Sequence, residues 1–325
     1  MRAVVCRELG PPSSLVVDEI DDPVAAPGMV VVDVEAAGVN FPESLIIEGK
    51  YQFKPPLPFV LGGEAAGVVR EVGDSVDGWA PGDRVIAQTG AVGAFAERVA
   101  VPAAALVRLP DGVGSPEAAG LTIAYATTYY ALRDRAQMQA GETLLVLGAA
   151  GGTGISAVQV GKAMGARVIA AASSPSKLEF CRANGADELI DYTSEDLRAR
   201  VLELAPNGVD VVYDPVGGDY AEVALRRMAW GGRYLVIGFT AGIPSIPLNL
   251  TLLKSCSIVG VFYGAWTMRE PDAAREVTGE LLRWTADGKI APPVYKTYAL
   301  HEAGQAITDL RERKVLGKAI VVPRR

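Results

Sequence analysis

The chain is poor in residues that bind metals or form covalent cross-links. It has one histidine, His301, and three cysteines, Cys6, Cys181 and Cys256, none of which forms a C-x-x-C pair. A tetrahedral zinc site needs four closely placed Cys, His or carboxylate ligands. A Ser-His-Asp hydrolase would depend on His301 alone, which lies where a C-terminal helix is predicted to begin and suits a surface or capping role. We therefore expect no metal, no disulfide framework and no catalytic triad.

An excess of basic residues is also missing. The 325 residues include 31 Lys and Arg against 38 Asp and Glu, a formal net charge of −7. A nucleic-acid-binding domain normally carries a basic stripe, so this class of protein is not expected. Half of the residues are apolar and 21% are charged. This apolar fraction is large enough for the chain to form a globular core. At roughly 150 residues per domain, the length predicts two domains.

Long uninterrupted hydrophobic segments are absent as well. Of the two uncharged runs, residues 143–161 are broken by five glycines and residues 234–253 by Pro244 and Pro247. Both runs carry the strand and turn patterns of a buried soluble core. No apolar targeting segment follows Met1. We therefore expect no membrane association and a cytoplasmic location.

The pattern of strands and helices changes near residue 115. Before it, valine-rich segments separated by Pro and Gly turns predict a small, curved antiparallel barrel with strands over residues 2–6, 15–19, 29–36, 65–73 and 82–86. After a helix predicted over residues 116–132, strands alternate with helices, which predicts a parallel, doubly wound sheet. Its predicted strands are residues 143–148, 167–171, 209–213, 232–238 and 257–262. The predicted helices are residues 154–164, 174–185 and 220–229, and later 273–285 and 302–313 before a last strand at 319–322.

A glycine-dense turn follows the apolar run 143–148. It reads A-x-G-x-x-G from Ala149, so that alanine replaces the first glycine of the usual dinucleotide fingerprint. Gly151 would let backbone N–H groups approach a pyrophosphate, and Gly154 would let the following helix pack closely on the sheet. Glycine also closes turns that bind nothing, but the flanking strand and helix favour a dinucleotide site. The expected contacts are Ala150, Gly151, Gly152, Thr153 and Gly154.

The second strand of this segment ends without an acidic residue. Folds specific for NAD place an Asp or Glu there, which binds the ribose 2′-hydroxyl. Here Ser173 and Ser174 follow the strand, with Lys177 close behind. Two hydroxyls and an ammonium suit a 2′-phosphate, although Ser174 could equally cap a helix and Lys177 could be solvated. The sequence therefore predicts NADPH rather than NADH.

Six motifs occur in order along the chain. They are GVNFPE at 38–43, PLPF at 56–59, GGEAAG at 62–67, GDRV at 82–85, the turn 149–154, and LGK at 316–318. In these motifs the chain resembles, over nearly its whole length, the zinc-independent quinone oxidoreductase (zeta-crystallin-like) branch of the medium-chain dehydrogenase/reductase superfamily. Zinc-dependent relatives carry a ligand cysteine where this chain has Asn40 and a ligand histidine where it has Gly63. The resemblance implies a GroES-like β-barrel catalytic domain (residues 1–120 and 267–325), a Rossmann domain (121–266) and a cleft between them.

The resemblance also implies a reaction. Hydride transfer from NADPH to a quinone or an α,β-unsaturated carbonyl compound needs mainly orientation and exclusion of water, whereas plain carbonyl reduction would require a metal or an acid. Two alternatives stay open: a reductase of enoyl thioesters on CoA or a carrier protein, and a non-catalytic NADPH-binding protein like the crystallin members. Family members commonly form a homodimer, which would pair the edge strand 257–262.

Individual site residues follow from the same resemblance. Thr127 would lie near the nicotinamide, Tyr192 near the 2′-phosphate, and Lys318 would reach the cofactor from the C-terminal segment. Further cofactor contacts would come from Val216, Gly238, Phe239, Phe262 and Tyr263, with core packing an equal alternative for Phe239 and Phe262.

On the substrate side, Asn40 would donate a hydrogen bond to a bound carbonyl or to the cofactor amide. Glu43 would take part in catalysis, pair with a basic side chain or face solvent. Some relatives have a tyrosine where this chain has Leu45, which leaves Tyr51 as the nearest alternative proton donor. Glu64 is expected to be structural.

Overall fold

The computed structural model describes residues 1–324, which form two compact units. Unit 1 consists of Met1–Ala126 and the described residues from Trp266 onward, and unit 2 is Thr127–Ala265. None of the helices in this part of the chain combines the length and the apolarity that a bilayer-spanning segment needs.

Unit 1 begins with short strands, many of them rich in valine, a residue that suits a pleated and half-buried surface. The strands are β1 (Arg2–Cys6), β2 (Val16–Glu19), β3 (Met29–Gly38), β4 (Phe59–Val60), β5 (Glu64–Val72), β6 (Arg84–Gln88), β7 (Arg98–Pro102) and β8 (Leu106–Arg108), with helices α1 (Phe41–Ile46) and α2 (Ser115–Ala118). The five strands predicted here are confirmed, each with small shifts at its ends.

Unit 2 contains a six-stranded parallel sheet with helical connections. Its elements are α3 (Ala126–Tyr130), β9 (Thr143–Leu147), α4 (Gly152–Ala163), β10 (Arg167–Ala172), α5 (Pro175–Ala183), β11 (Glu188–Asp191), α6 (Leu197–Leu204), β12 (Val209–Asp214), α7 (Asp219–Leu225), β13 (Met228–Val236), α8 (Asn249–Lys254) and β14 (Ser257–Gly260). The strand order is β11-β10-β9-β12-β13-β14. This order confirms the doubly wound prediction, and it reverses between β9 and β12, where ligands of such folds bind at the carboxyl ends of the strands.

The chain then returns to unit 1 and completes its larger sheet. The last elements are α9 (Tyr263–Arg269), α10 (Pro271–Ala286), β15 (Val294–Ala299), α11 (Ala303–Arg311) and β16 (Lys318–Val322). The sheet order is β15-β16-β3-β5-β6-β8, with β7 also paired to β3, and β2-β1-β4 form a second sheet. Ile320 of β16 is opposite Gly38 at the end of β3, so the C-terminal strand lies beside the segment that carries Asn40.

Several predicted boundaries are wrong. Residues 116–132 do not form one helix, because π-helical turns at Leu121–Tyr125 and Ala131–Arg135 interrupt it. The helix predicted over 220–229 ends at Leu225, since β13 already begins at Met228. The strand predicted over 257–262 ends at Gly260.

Candidate active site

The turn between β9 and α4 is shaped by glycines. Gly148 has a positive φ of 59°, and Gly151 is the last residue before α4. A Cβ atom on Gly154 would lie 2.2 Å from the carbonyl oxygen of Gly148 and 2.7 Å from Cα of Ala149, so glycine is required for α4 to begin so close to the strand. On Gly151 the nearest atom to a Cβ would be 3.6 Å away. The turn is therefore tight on the Gly154 side and open at Gly151.

The N-terminus of helix α4 lies at this turn. Gly152 and Thr153, in its first turn, are partly exposed, and Gly151 contributes no side chain to cap the helix. The first N–H groups of a helix lack intrahelical partners and carry the positive end of the helix dipole, which favours a phosphate. The five residues predicted from the sequence, 150–154, thus form one cradle, and this cradle fits a pyrophosphate.

Polar groups gather at the carboxyl end of β10. Ser174 caps α5, and its Oγ accepts a hydrogen bond from the Lys177 backbone N–H at 3.4 Å. The Lys177 side chain turns back, and its Nζ donates to Ser173 Oγ at 3.1 Å. Ala172, the last residue of β10, is not acidic. Ser174 therefore caps the helix, and it also lies in a cluster of two hydroxyls and an ammonium whose chemistry suits a 2′-phosphate.

Tyr192 follows the neighbouring strand, β11, and reaches the same place. Its backbone N–H donates to the Ala172 carbonyl at 3.2 Å, so the residue lies beside the end of β10. Its ring packs against that of Tyr220, with centroids 4.7 Å apart. The backbone of Tyr192 therefore lies beside the end of β10, next to the segment that carries Ser173 and Ser174.

Asp214 holds the loop after β12 through its buried carboxylate and the loop after β13 through its backbone carbonyl. Asp214, 2% exposed, accepts the backbone N–H groups of Val216 at 2.7 Å and Gly217 at 2.9 Å. The backbone N–H of Gly238 donates to the Asp214 carbonyl at 3.3 Å. Tyr234 of β13 donates its hydroxyl to the other carboxylate oxygen. Asp214 and Tyr234 were not singled out in the sequence, because an acid at the end of a strand gives no local signal of what it binds.

The predicted aromatic contacts differ in burial. Phe239 is 44% exposed and Phe262 is 55% exposed, so neither is a core residue of the chain. Tyr263 is buried and its ring lies 6.0 Å from that of Tyr130. Thr127 is partly exposed. Exposed aromatic rings near the carboxyl ends of strands are available to a planar ligand, whereas Tyr263 packs inside unit 2.

Next to Thr127, a chain of buried hydroxyls stabilises the base of the cradle. Thr128 Oγ1 lies 2.6 Å from Ser156 Oγ and 2.8 Å from the Tyr213 hydroxyl. Ser156 also donates to the carbonyl of Thr153 at 2.8 Å. This network links α3, α4 and β12, and no local sequence pattern indicates it because its members are far apart along the chain.

In unit 1, Asn40 belongs to a buried polar cluster. Lys318 Nζ donates to Asn40 Oδ1 at 2.6 Å, to Glu64 Oε1 at 3.1 Å and to the Val39 carbonyl at 3.2 Å. Asn40 Nδ2 donates to the same Glu64 oxygen at 2.9 Å and to the Gly38 carbonyl at 3.3 Å. Glu64 is held further by the Thr122 hydroxyl at 2.7 Å and the backbone N–H of residue 123 at 2.8 Å. The expected structural role of Glu64 is consistent with these bonds.

This cluster fixes the orientation of the Asn40 amide. Lys318 can only donate and a Glu64 carboxylate can only accept, so the amide oxygen faces Lys318 and the amide nitrogen faces Glu64. Both N–H groups of the amide are directed at protein oxygens, which differs from the donor role expected for Asn40. Lys318 is 2% exposed, and its ammonium binds three protein oxygens inside unit 1.

Glu43 is also buried, at 2% exposure, which excludes the solvent-facing alternative. Its Oε2 accepts the backbone N–H of Asn40 at 2.9 Å and so caps the start of α1. Burial raises the pKa of the Glu43 carboxyl to about 7. Tyr51 is partly buried, and burial together with the charge of Glu43 raises the pKa of its phenol. Asn40, Glu43 and Tyr51 thus all belong to unit 1.

Within residues 1–324, no group of three or more His, Cys, Asp or Glu side chains is arranged to hold a metal ion. His301 is exposed, and the three cysteines are buried and unlinked.

Two family models match the chain. The alcohol dehydrogenase GroES-like domain matches residues 26–111, and the zinc-binding dehydrogenase model matches residues 152–279. The quinone oxidoreductase-like protein 2 homolog of Nematostella vectensis is 38% identical over 324 residues, which are 98% of this chain and 88% of the relative.

Solved structures agree with these matches. The quinone oxidoreductase of Pseudomonas syringae pv. tomato has a TM-score of 0.92 and 35% identity, with 99% of each chain covered. The quinone oxidoreductase of Escherichia coli, solved as a complex with NADPH, has a TM-score of 0.92 and 30% identity, with 99% of this chain and 100% of that chain covered. The chain belongs to the zinc-independent quinone oxidoreductase branch of the medium-chain dehydrogenase/reductase superfamily.

Proposed function

We propose that the protein is an NADPH-dependent oxidoreductase that transfers hydride to quinones or α,β-unsaturated carbonyl compounds. The observation that carries the proposal is the end of β10, where Ser173, Ser174 and Lys177 gather at the position at which NAD-specific folds have an acid. The NADPH complex of the Escherichia coli relative supports the same cofactor.

The residues of the chain would bind and orient the cofactor, which supplies the hydride when bound. The N–H groups of the cradle bind the pyrophosphate, and Ser173 and Ser174 donate to the 2′-phosphate while Lys177 offsets part of its charge. Asp214 fixes the loop of Val216 by accepting its N–H. Asn40, whose N–H groups are occupied, offers a ligand only its carbonyl oxygen.

A conjugated acceptor suits these residues. A quinone or an enone delocalises the charge that hydride transfer creates, so the protein needs mainly to orient the acceptor and exclude water. The described residues provide no cluster of metal ligands that would polarise an isolated carbonyl.

The test is NADPH oxidation by the purified protein with benzoquinone, phenanthrenequinone, an alkenal and crotonyl-CoA as acceptors. We expect turnover of a quinone or the alkenal with NADPH, little with NADH, and no effect of EDTA. Turnover of crotonyl-CoA alone would favour a thioester reductase. NADPH binding without turnover of any acceptor would contradict the proposed activity, and failure to bind either dinucleotide would also contradict the cofactor site.

We also propose that two copies pair through β14, the edge strand of the sheet in unit 2. Apolar side chains on and near this edge are exposed, Leu252 by 79%, Leu253 by 64%, Ile258 by 38% and Phe262 by 55%. Exposed apolar surface next to an unpaired strand is typical of a protein interface.

A further inference from the structure

The loops after β12 and β13 lie side by side, beyond the last paired residues of the two strands. Residues 215–218 and 237–242 form these two stretches, which we call the double loop. Three backbone hydrogen bonds join them, from the N–H of Thr240 to the carbonyl of Pro215 (3.3 Å), from Ala241 to Val216 (2.8 Å) and from Gly218 to Gly242 (2.8 Å). The double loop therefore continues the pairing of β12 and β13 past the end of the sheet.

Glycine allows the two stretches to approach this closely. Gly217 has a positive φ of 68° and Gly242 one of 106°, a region that residues with a side chain rarely adopt. A Cβ atom on Gly217 would also lie 2.6 Å from the carbonyl oxygen of Gly242. The sequence thus fits one defined arrangement of the double loop.

A single buried residue holds the base of both stretches. The carboxylate of Asp214 accepts two backbone N–H groups of the first stretch, and its backbone carbonyl accepts two of the second. Tyr234 of β13 donates its hydroxyl to the same carboxylate. Asp214 and Tyr234 are both 2% exposed, so they act on the loops from inside unit 2.

The strand order indicates which part of a dinucleotide would meet the double loop. The cradle lies at the end of β9, and the cluster of Ser173 and Lys177 lies at the end of its neighbour β10. With the pyrophosphate at the first and the 2′-phosphate of the adenosine ribose at the second, the other half of the cofactor would extend the opposite way. That direction leads over β12 and β13. The nicotinamide half would therefore meet the double loop, and all of these elements belong to unit 2.

We propose that Asp214 and Tyr234 are positioning residues that hold the double loop ready for the nicotinamide half of NADPH before the cofactor binds. This role rests on the proposed function. A loop that is already ordered in the free protein loses less conformational entropy on binding, so preorganisation lowers the Kd. The contribution of the two residues belongs to the nicotinamide half alone, because the adenosine half is bound at β10.

The test is isothermal titration calorimetry of the wild type and Tyr234→Phe with two ligands. One is NADPH, and the other is adenosine 2′,5′-bisphosphate, which lacks the nicotinamide half. Phenylalanine keeps the ring in the core but removes the hydroxyl group that binds Asp214. We expect the Kd of Tyr234→Phe for NADPH to rise about tenfold, and its Kd for the bisphosphate to change by less than about twofold.

The matched control is Tyr298→Phe. Tyr298 is also a buried tyrosine, and its hydroxyl donates to the Asp309 carboxylate at 2.7 Å, but both residues belong to unit 1. This variant loses the same kind of hydrogen bond and should bind both ligands as the wild type does. If Tyr234→Phe weakened the binding of both ligands equally, or of neither, the positioning role would be overturned.

Hydrogen exchange of the free wild type tests the same role without a variant. The backbone N–H groups held in the double loop should exchange at least about 100-fold more slowly than in an unfolded chain. These groups belong to Val216, Gly217, Gly238 and Ala241. Slow exchange that appears only after NADPH is added would overturn the proposal even if Tyr234→Phe failed to fold. Wild-type protein that binds neither NADPH nor the bisphosphate would overturn the proposed cofactor, and the positioning role with it.

Discussion

At the end of β10, Lys177 is the cation that the proposed function assigns to discrimination between NADPH and NADH. It lies with Ser173 where a 2′-phosphate would be bound, and a charge-assisted hydrogen bond contributes roughly 1.5–3 kcal/mol. Lys177→Ala should therefore raise the Kd for NADPH about 10- to 100-fold and leave the Kd for NADH unchanged. Fluorescence titration with both dinucleotides measures this difference.

The control for this variant is Arg182→Ala on the same helix, where the replaced cation is exposed and pairs with Glu179. It should leave both dissociation constants unchanged. Equal weakening of NADPH and NADH binding by Lys177→Ala would instead mean that Lys177 stabilises α5 and does not bind a 2′-phosphate.

Glu43 should make the stability of the protein depend on pH. Burial raises the pKa of this carboxyl to about 7 in the folded state, from 4.5 for a solvent-exposed glutamate. Between these values the folded protein binds the extra proton, so the free energy of unfolding falls as pH rises through this window. From pH 5 to pH 8 the contribution of this group should fall by about 2–3 kcal/mol.

Chemical denaturation of the wild type and Glu43→Gln at both pH values isolates this contribution. Between pH 5 and pH 8, the free energy of unfolding of the variant should fall by about 2–3 kcal/mol less than that of the wild type, since glutamine does not titrate. The same pH dependence in both proteins would show that the Glu43 carboxyl is already ionised at pH 5 in the folded state.

Among the elements, the turn between β9 and α4 offers a pair of substitutions with opposite expected effects. Gly154→Ala would place a Cβ 2.2 Å from the Gly148 carbonyl oxygen, so the start of α4 has to move. Overpacking of this kind lowers the free energy of unfolding by about 1–3 kcal/mol. Gly151→Ala meets no atom closer than 3.6 Å, so the fold should keep its stability. Its methyl group would instead occupy the side open to a pyrophosphate.

Thermal unfolding and NADPH titration of both variants separate these effects. Gly154→Ala should lower Tm and weaken NADPH binding together. Gly151→Ala should raise the Kd for NADPH by about tenfold or more at unchanged Tm. A Gly151→Ala protein that binds NADPH normally would contradict the placement of the pyrophosphate at this turn.

Elements with a strong periodic pattern could be predicted from the sequence, and elements set by tertiary contacts could not. The run 143–148 was recognised because a strand buried on both faces is continuously apolar. Strand β11 (Glu188–Asp191) was missed, since it is short and half of it is polar. The alanine-rich residues 116–132 indicated one helix, because alanine favours a helix whatever its hydrogen-bonding register, and composition does not reveal the π-helical turns.

The same distinction applies to the site. The cradle and the cluster at the end of β10 are local, so residue spacing predicted them. Glu64 and Lys318 are 254 residues apart and meet only because β16 pairs with β3. No local pattern indicates such a pair, and the occupied amide of Asn40 is a consequence of it.

At the scale of the whole molecule, unit 1 depends on both ends of the chain. Strand β16, near the C-terminus, lies between β15 and β3 and supplies Lys318 to the cluster. Without this strand, Glu64 would be a buried carboxylate without its cation, which is strongly destabilising. The C-terminal strand therefore supports both the sheet and the position of Asn40.

The backbone of β14 leaves hydrogen-bonding groups for a second copy of the chain. The backbone N–H of Val261 donates to the carbonyl oxygen of Val236 on β13. Backbone groups alternate in direction along a strand, so the N–H and the carbonyl of Ile258 face away from β13. Two copies of β14 can then pair antiparallel about Ile258 and bury the neighbouring Leu252 and Leu253.

In sedimentation velocity runs we expect the wild type to be a dimer, and both Ile258→Pro, which removes the outward N–H, and Leu252→Glu to be monomers. The control is Val24→Glu, which changes an exposed apolar residue in unit 1 and should remain dimeric. A wild type that stays monomeric at high concentration, or an Ile258→Pro variant that stays dimeric, would contradict the pairing through this edge.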